Sequence, residues 1–171
     1  MAIDVQFAQR LPDAAIDHSG RPLPSRLGRL LASQGKTDEA RFHLEQSLKY
    51  KPGYTDARAV YVQVLTDMRR PAEAEKQARL AVENDPNSDV ARELLGGMLA
   101  AKGDLAGARR ELSEAVRIQP GNARAQIQLG MVLANQGDRI SAIPHLTAAA
   151  QSPDPNIRGA AQQALQALSR R

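Results

Sequence analysis

The sequence of 171 residues contains no cysteine and no tryptophan, and aromatic residues make up only 3% of it. Without cysteine, disulfides, thiolate nucleophiles and cysteine-ligated metal sites are excluded. A β-sandwich or β-barrel draws on aromatic and β-branched residues, so the scarcity of aromatics argues against both folds. The few aromatic residues are Phe7, Phe42, Tyr50, Tyr54 and Tyr61.

A strong charge of one sign is also missing. The chain carries 23 basic and 19 acidic residues, for a formal net charge of +4. The small basic excess is spread along the sequence apart from Arg170 and Arg171 at the end. A nucleic-acid-binding protein concentrates lysine and arginine on one face, so we expect no nucleic-acid partner.

No apolar stretch approaches the roughly 20 residues that span a bilayer, so we expect no membrane insertion. The N-terminus has Asp4 near its start and no continuous apolar core, unlike a signal peptide. We therefore expect a cytoplasmic protein; a periplasmic location would require an export signal that has been removed. Residues 1–20 are expected to form a short helix, an extended arm or the remnant of a longer upstream chain.

The sequence contains no recognisable catalytic pattern. Catalysis needs reactive groups that converge in one pocket, whereas His18, His43 and His145 are far apart in the sequence. His43 and His145 are expected on the solvent-facing sides of separate helices. We find no serine–histidine–aspartate pattern, no glycine-rich phosphate loop and no cluster of metal ligands. The chain is therefore expected not to be an enzyme and to need neither cofactor nor metal.

What the sequence does contain is an internal repeat. Pro52, Pro86 and Pro120 are 34 residues apart. We call the residues at one position of successive 34-residue units a column. An alanine column holds Ala40, Ala74, Ala108 and Ala142. Two glycine columns hold Gly28, Val62, Gly96 and Gly130, and Gly35, Arg69, Gly103 and Gly137. Self-similarity at such a period is typical of stacked repeats.

Each unit has the pattern of two helices. Residues 90–99 of the third unit carry apolar side chains at helical spacing. Gly103 can end that helix and Asp104 can cap the next one. The glycine and alanine columns are expected where the two helices cross closely. Pro144 lies past the expected first turn of its helix, so we expect that helix to start late or to bend.

These columns resemble the motif of the tetratricopeptide repeat, W-x2-L-G-x2-Y, then A-x3-F, then P, over 34 residues. The Leu-Gly step occurs in three of the four units, at Gly28, Gly96 and Gly130, and the alanine column matches throughout. The tryptophan column differs, since it holds Pro24, Arg58, Arg92 and Gln126. The resemblance covers about 136 of the 171 residues, and the loss of aromatic residues from its columns implies smaller side chains between helices.

The resemblance implies an all-α, right-handed superhelical solenoid of four helix-turn-helix repeats followed by a capping helix. The predicted parts are an arm at 1–20, repeats at 21–54, 55–88, 89–122 and 123–156, and a capping helix at 157–171.

Tetratricopeptide arrays line a concave groove with their first helices, and many bind a peptide or helix there. The resemblance therefore implies a non-enzymatic scaffold or adaptor that binds a partner protein. The groove positions are Ser25, Arg29, Asp56, Ala59, Gln63, Thr66, Glu93, Gly97, Ala100, Arg124, Ile127, Gln128, Met131 and Asn135. Among them, Arg29, Gln63 and Arg124 are the expected polar anchors. Small residues leave space for partner side chains, and Met131 suits adaptable contacts.

Other roles remain open. One branch of the family binds the EEVD tail of cytosolic chaperones through a clamp of lysine and asparagine, and the corresponding columns here hold neither residue. The array could instead be a structural or self-assembling unit, with weak self-association through its ends. It could also be the repeat region of a larger multidomain protein.

Overall fold

The structure, a computed structural model, describes residues 23–170, with side chains from Ser25 onward. The predictions for residues 1–20, and for His18 and the Pro24 side chain, lie outside these residues. The described part of the chain forms nine α-helices and no strand. They are α1 (Leu23–Ser33), α2 (Thr37–Tyr50), α3 (Thr55–Asp67), α4 (Pro71–Asn84), α5 (Asp89–Lys102), α6 (Leu105–Ile118), α7 (Ala123–Asn135), α8 (Arg139–Ala149) and α9 (Pro155–Ser169).

The helices form antiparallel pairs in two compact units, with the division between Asp85 and Pro86. In the first unit α1 packs on α2 and α3 packs on α4, while α3 also contacts α1 and α2. In the second unit α5 packs on α6 and α7 packs on α8, while α7 also contacts α5 and α6. Helix α9 packs on α7 and α8. The all-α repeat fold is thus confirmed. Among residues 23–170, no helix combines the length and apolar character needed to cross a membrane.

The two helices of a pair approach closely at the glycine column. A Cβ atom added to Gly96 would lie 2.5 Å from Cγ of Leu112, and the corresponding distances are 2.7 Å for Gly28 to Leu44 and for Gly130 to Leu146. The alanine column is fully buried in all four pairs. The prediction that small residues mark the crossing is therefore confirmed, because a larger side chain would hold the axes apart.

The second pair reaches the same packing with the volumes exchanged. It has Val62 in the glycine column and Ala78 in the column that holds leucine elsewhere, and both are buried. Side-chain volume has moved from the second helix to the first. This exchange indicates that the two columns share one space in the core, which must be filled but not overfilled.

Helix ends follow the local sequence. Gly35, Gly103 and Gly137 have positive φ angles of 75°, 89° and 84°, which glycine adopts without steric cost. In the second pair Arg69 occupies the same position with φ 57°. In the second unit every helix has a side-chain N-cap, from Ser88, Asp104, Asn122, Asp138 and Asp154. The predicted cap at Asp104 is confirmed, since its carboxylate accepts from Gly107 N at 2.9 Å.

The last pair departs from the 34-residue period. Helix α8 has 11 residues, against 14 in the second helices of the other pairs. It begins at Arg139, so the late start is wrong, and a bend at Pro144 stays a prediction. Pro144 has no N–H to donate to the carbonyl of Ile140, four residues earlier. Both residues are exposed, so that carbonyl is on the solvent side. Because α8 is short, α9 begins at Pro155, two residues before the predicted boundary at 157.

The exchange of side-chain volume between the glycine and leucine columns can be tested with a double-mutant cycle in the third pair. We expect Gly96→Val to destabilise the chain by about 1–3 kcal/mol through overpacking, and Leu112→Ala by about 2–5 kcal/mol through a cavity. The double variant has the combination found at Val62 and Ala78. Its loss of unfolding free energy should therefore be smaller than the sum of the two single losses by at least about 1 kcal/mol. Urea denaturation followed by circular dichroism measures all three. Gly159→Val is the control, since an added Cβ there meets nothing within 4 Å. Additive losses would contradict the shared space.

The left-handed backbone at Arg69 gives a second prediction. An exposed arginine at positive φ is strained, so Arg69→Gly should raise the free energy of unfolding by about 0.5–1 kcal/mol. The reciprocal change Gly103→Arg should lower it by a similar amount. Thermal and urea unfolding of both variants against the wild type check these signs, and equal signs for the two changes would refute the explanation.

Candidate functional site

The surface expected to bind a partner lies on the first helix of each pair. These helices are neighbours within each unit: α3 contacts α1 in the first, and α7 contacts both α5 and α9 in the second. We call this surface of each unit its first-helix face. Three columns on it are exposed wherever the structure describes them, apart from the half-buried Gly97. They hold Asp56, Val90 and Arg124; Arg29, Gln63, Gly97 and Met131; and Ser33, Asp67, Ala101 and Asn135.

Twelve of the fourteen predicted positions lie at least partly on the surface. Arg29, Asp56, Gln63, Thr66, Arg124, Met131 and Asn135 are exposed. Ala59, Gly97, Ala100, Ile127 and Gln128 are half-buried. Their exposure leaves them available, and binding at each of them stays a prediction.

Ser25 and Glu93 are buried, in contrast to the surface position expected for both. They share one column with Ala59 and Ile127, which are half-buried. No member of that column is exposed, so the column points toward neighbouring parts of the protein more than toward solvent. Spacing along one helix does not reveal how closely the next helix packs against it.

Glu93 belongs to a polar cluster between α5 and α7. Its Oε1 accepts a hydrogen bond of 2.5 Å from Gln128 Nε2 and lies 3.7 Å from Arg124 Nε. Burial raises the pKa of Glu93, an effect that Arg124 and Gln128 oppose and Asp89 reinforces. Asn122 also joins the helices, because its Nδ2 donates to Asp89 Oδ2 at 2.7 Å. The cluster fixes Gln128 across α5.

Gln128 packs against Gly97 of α5. A Cβ added to Gly97 would lie 3.0 Å from Gln128 Oε1, so the glycine makes room for the amide. That Oε1 atom is buried and accepts no hydrogen bond in the structure. The amide is therefore held by its nitrogen alone, through Glu93.

An open slot of about 240 Å³ lies between α7 and α9. Its lining is mostly apolar and consists of Met131, Ala134, Asn135, Ala164, Ala167 and Leu168. Met131 and Asn135 were predicted as groove residues, whereas those of α9 were missed because that helix was interpreted as a cap. A signal was present in the sequence: Ala164, Ala167 and Leu168 follow the helical i, i+3, i+4 spacing.

The first-helix face of the first unit is more polar. Gln63 Nε2 donates to Asp67 Oδ1 at 2.8 Å within α3, and Thr66 Oγ1 donates to Val62 O at 2.9 Å. The predicted anchor Gln63 is therefore already paired within its own helix. A partner would have to compete with that bond.

The tryptophan column has a function in the structure that the sequence did not predict. Arg58, Arg92 and Gln126 donate to the carbonyls of Pro52, Pro86 and Pro120, each six residues earlier. Each also bonds a residue 19 positions later on the second helix, which is Gln77, Glu111 or His145, at distances from 2.6 to 2.8 Å. Arg158 likewise donates to Ser152 O, six residues earlier. We call Arg58, Arg92, Gln126 and Arg158 the clasps.

The clasps explain why the titratable side chains of Arg58 and His145 are partly buried. Burial lowers the pKa of Arg58, whose charge is compensated by hydrogen bonds to neutral oxygens. His145 was expected on the solvent side, which is wrong: it is half-buried, its Nδ1 lies 2.8 Å from Gln126 Oε1, and burial lowers its pKa. The clasps are structural. Residues 23–170 contain no group of three metal-ligating side chains.

The buried carboxylate of Glu93 makes stability depend on pH. Because burial raises its pKa, the folded chain keeps a proton that the unfolded chain has already released. The free energy of unfolding should therefore fall as pH rises from the unfolded-state pKa through the folded-state pKa. Glu93→Gln cannot ionise, so its stability relative to wild type should increase over that interval. Urea unfolding across a pH series measures this, and parallel curves would refute it.

Comparison with known proteins agrees with the fold. A tetratricopeptide repeat family model matches residues 31–96. The solved structure of TTC0263, a thermophilic TPR protein of Thermus thermophilus, is 26% identical, with a TM-score of 0.73 over 86% of this chain and 82% of that one. YrrB, a TPR protein with an unusual peptide-binding site, is 24% identical, with a TM-score of 0.68 over 96% and 81%.

A third similar structure is the first TPR of Spaghetti (RPAP3) bound to the HSP90 peptide SRMEEVD, at 19% identity and a TM-score of 0.62 over 79% of this chain and 97% of that one. Among curated proteins, none matches the sequence significantly. At these identities the last two structures show the fold alone. The helix pairs, the repeat columns and the family match over residues 31–96 together show that the chain has the tetratricopeptide repeat fold.

Proposed function

We propose that the chain is a non-enzymatic interaction module that binds a peptide or helix of a partner protein on its first-helix faces. The observation that carries the proposal is the open, mostly apolar slot on the face of the second unit. An apolar recess of this kind gains free energy when an apolar group of a partner displaces its water. The half-exposed Met131 at its edge has a flexible side chain that can adapt to different contacts.

The rest of the face is suited to a chain lying across it. Ala100 on α5 carries only a methyl group, so a partner can approach the helix closely there, whereas Gly97 is covered by Gln128. Arg124, Gln128 and Asn135 supply polar groups beside the slot. A few polar groups around an apolar site are the usual arrangement of binding surfaces, in which the polar groups fix orientation.

The comparisons support the same function in general terms. YrrB is described as a TPR protein with an unusual peptide-binding site, and the Spaghetti repeat domain is bound to a peptide. The partner here is expected to differ from a chaperone tail, because the clamp columns carry no lysine and no asparagine.

Self-assembly is a second candidate, favoured by the solvent side of α8. Ile140 is 87% exposed and Ile143 is 47% exposed. The column of Ile143 holds the charged residues Arg41, Glu75 and Arg109 in the other pairs. At this column the last pair thus has an apolar side chain where the other pairs have charged ones.

The two candidates predict opposite results for one matched pair of variants. Met131 is 49% exposed on the first-helix face and Ile143 is 47% exposed on the opposite helix of the same pair. We expect Met131→Glu to lower partner capture from a lysate of the source cell by about tenfold, since a carboxylate in an apolar contact is costly. Ile143→Glu should leave capture unchanged.

Light scattering across concentration completes the comparison. A loss of self-association in Ile143→Glu, with partner capture intact in Met131→Glu, would favour the assembly function and contradict the binding function. Circular dichroism of both variants verifies that they fold alike.

A further inference from the structure

We propose that the slot between α7 and α9 receives one aliphatic side chain of an acidic, extended partner segment, and that Arg124 pairs with a carboxylate of that segment. This inference rests on the proposed function and specifies the chemistry of its partner. It depends on three observations: the lining of the slot, the charges around it, and the distance between the slot and Arg124.

The lining favours an aliphatic group. Met131, Ala134, Ala164, Ala167 and Leu168 present methyl and methylene groups, and Asn135 is the one polar side chain among the slot residues. No charged residue lines the slot, so a charged partner side chain would lose its hydration there without compensation. An unbranched or γ-branched aliphatic side chain gains by leaving water.

The charges around the slot favour an acidic partner. Helices α7, α8 and α9 contain no aspartate and no glutamate. Their N-caps Asp138 and Asp154 bond the backbone amides of Ser141 and Asn156. On the facing helix α5, Glu93 is buried beneath Gln128, and Asp89 accepts from Asn122.

Arg124 is a basic group that projects from this surface. Its side chain is 68% exposed, and its ion pair with Glu93 is long at 3.7 Å. Arg158 of α9, by contrast, is engaged with Ser152 O at 2.8 Å. A carboxylate on the partner would thus meet an accessible guanidinium with no strong competing contact, which gives charge complementarity at the edge of an apolar site.

The spacing on α7 fixes the spacing in the partner. Arg124 and Met131 are seven residues apart, about two helical turns, so they share one face at a separation of about 10.5 Å. An extended chain advances about 3.3 Å per residue. The carboxylate and the aliphatic residue should therefore be about three positions apart in the bound segment.

Selection from a phage-displayed library of random linear peptides tests this chemistry directly. We expect enrichment of peptides with a leucine or methionine and an aspartate or glutamate about three positions away. Fluorescence anisotropy of the best labelled peptide then measures affinity. Replacing its aliphatic residue by alanine should weaken binding about tenfold, and replacing its acid by lysine should weaken it by at least as much.

Variants of the chain locate the contact. Ala167→Phe fills the slot and should weaken binding about tenfold, whereas Ala148→Phe, on the exposed side of α8, should not. Arg124→Ala should weaken binding several-fold and reduce its salt dependence, whereas Arg117→Ala should do neither, although Arg117 has nearly the same exposure, 67%, and is also ion-paired. Met131→Ala removes one wall without adding volume and should also weaken binding.

The outcomes separate this inference from the function on which it rests. If Gly97→Glu abolishes peptide binding but Ala167→Phe does not, binding in the slot is refuted and binding on the first-helix face is retained. Binding that survives all of these changes would overturn both proposals. Enrichment of basic peptides, or no enrichment, would overturn the acidic partner. Self-association abolished by Ala167→Phe, without peptide binding, would identify a second copy as the occupant and also overturn it.

Discussion

The close approach of leucine to glycine inside each helix pair is the contact on which the fold depends. Leu44, Leu112 and Leu146 each lie where the partner helix has no side chain. The second pair fills the same space with Val62 and Ala78, so what the fold requires is a total volume rather than a particular residue. With the pair axes set in this way, the remaining side of each first helix can pack on its neighbours or face solvent.

The clasps perform at the helix start the task expected of a large aromatic side chain. Arg58, Arg92 and Gln126 tie the preceding turn to the first helix and the first helix to the second. Hydrogen bonds of this kind stabilise a buried site only where every polar group finds a partner. Carbonyl oxygens of the turn and polar residues of the second helix provide those partners, which explains how the chain forms these repeats without tryptophan.

The clasps also account for the position of α9. Gln126 and Arg158 are 32 residues apart, not 34, because α8 is short. The hydrogen bond to a carbonyl six residues earlier is nevertheless kept, at Ser152. Local contact rather than sequence period therefore determines where α9 begins. The slot against α7 exists because α9 lies there, so the candidate binding surface depends on this departure from regularity.

The sequence by itself determined the helices, their pairing and the small-residue crossings, because these follow from the period of apolar residues, from glycine at the turns and from a repeated spacing. It also identified Met131 and Arg124 as surface residues of a first helix. Only the tertiary structure decided that Glu93 and Ser25 are buried, that His145 bonds Gln126, and that α9 forms one wall of a slot. These features depend on the distance between neighbouring helices, and a pattern along one helix contains no information about that distance.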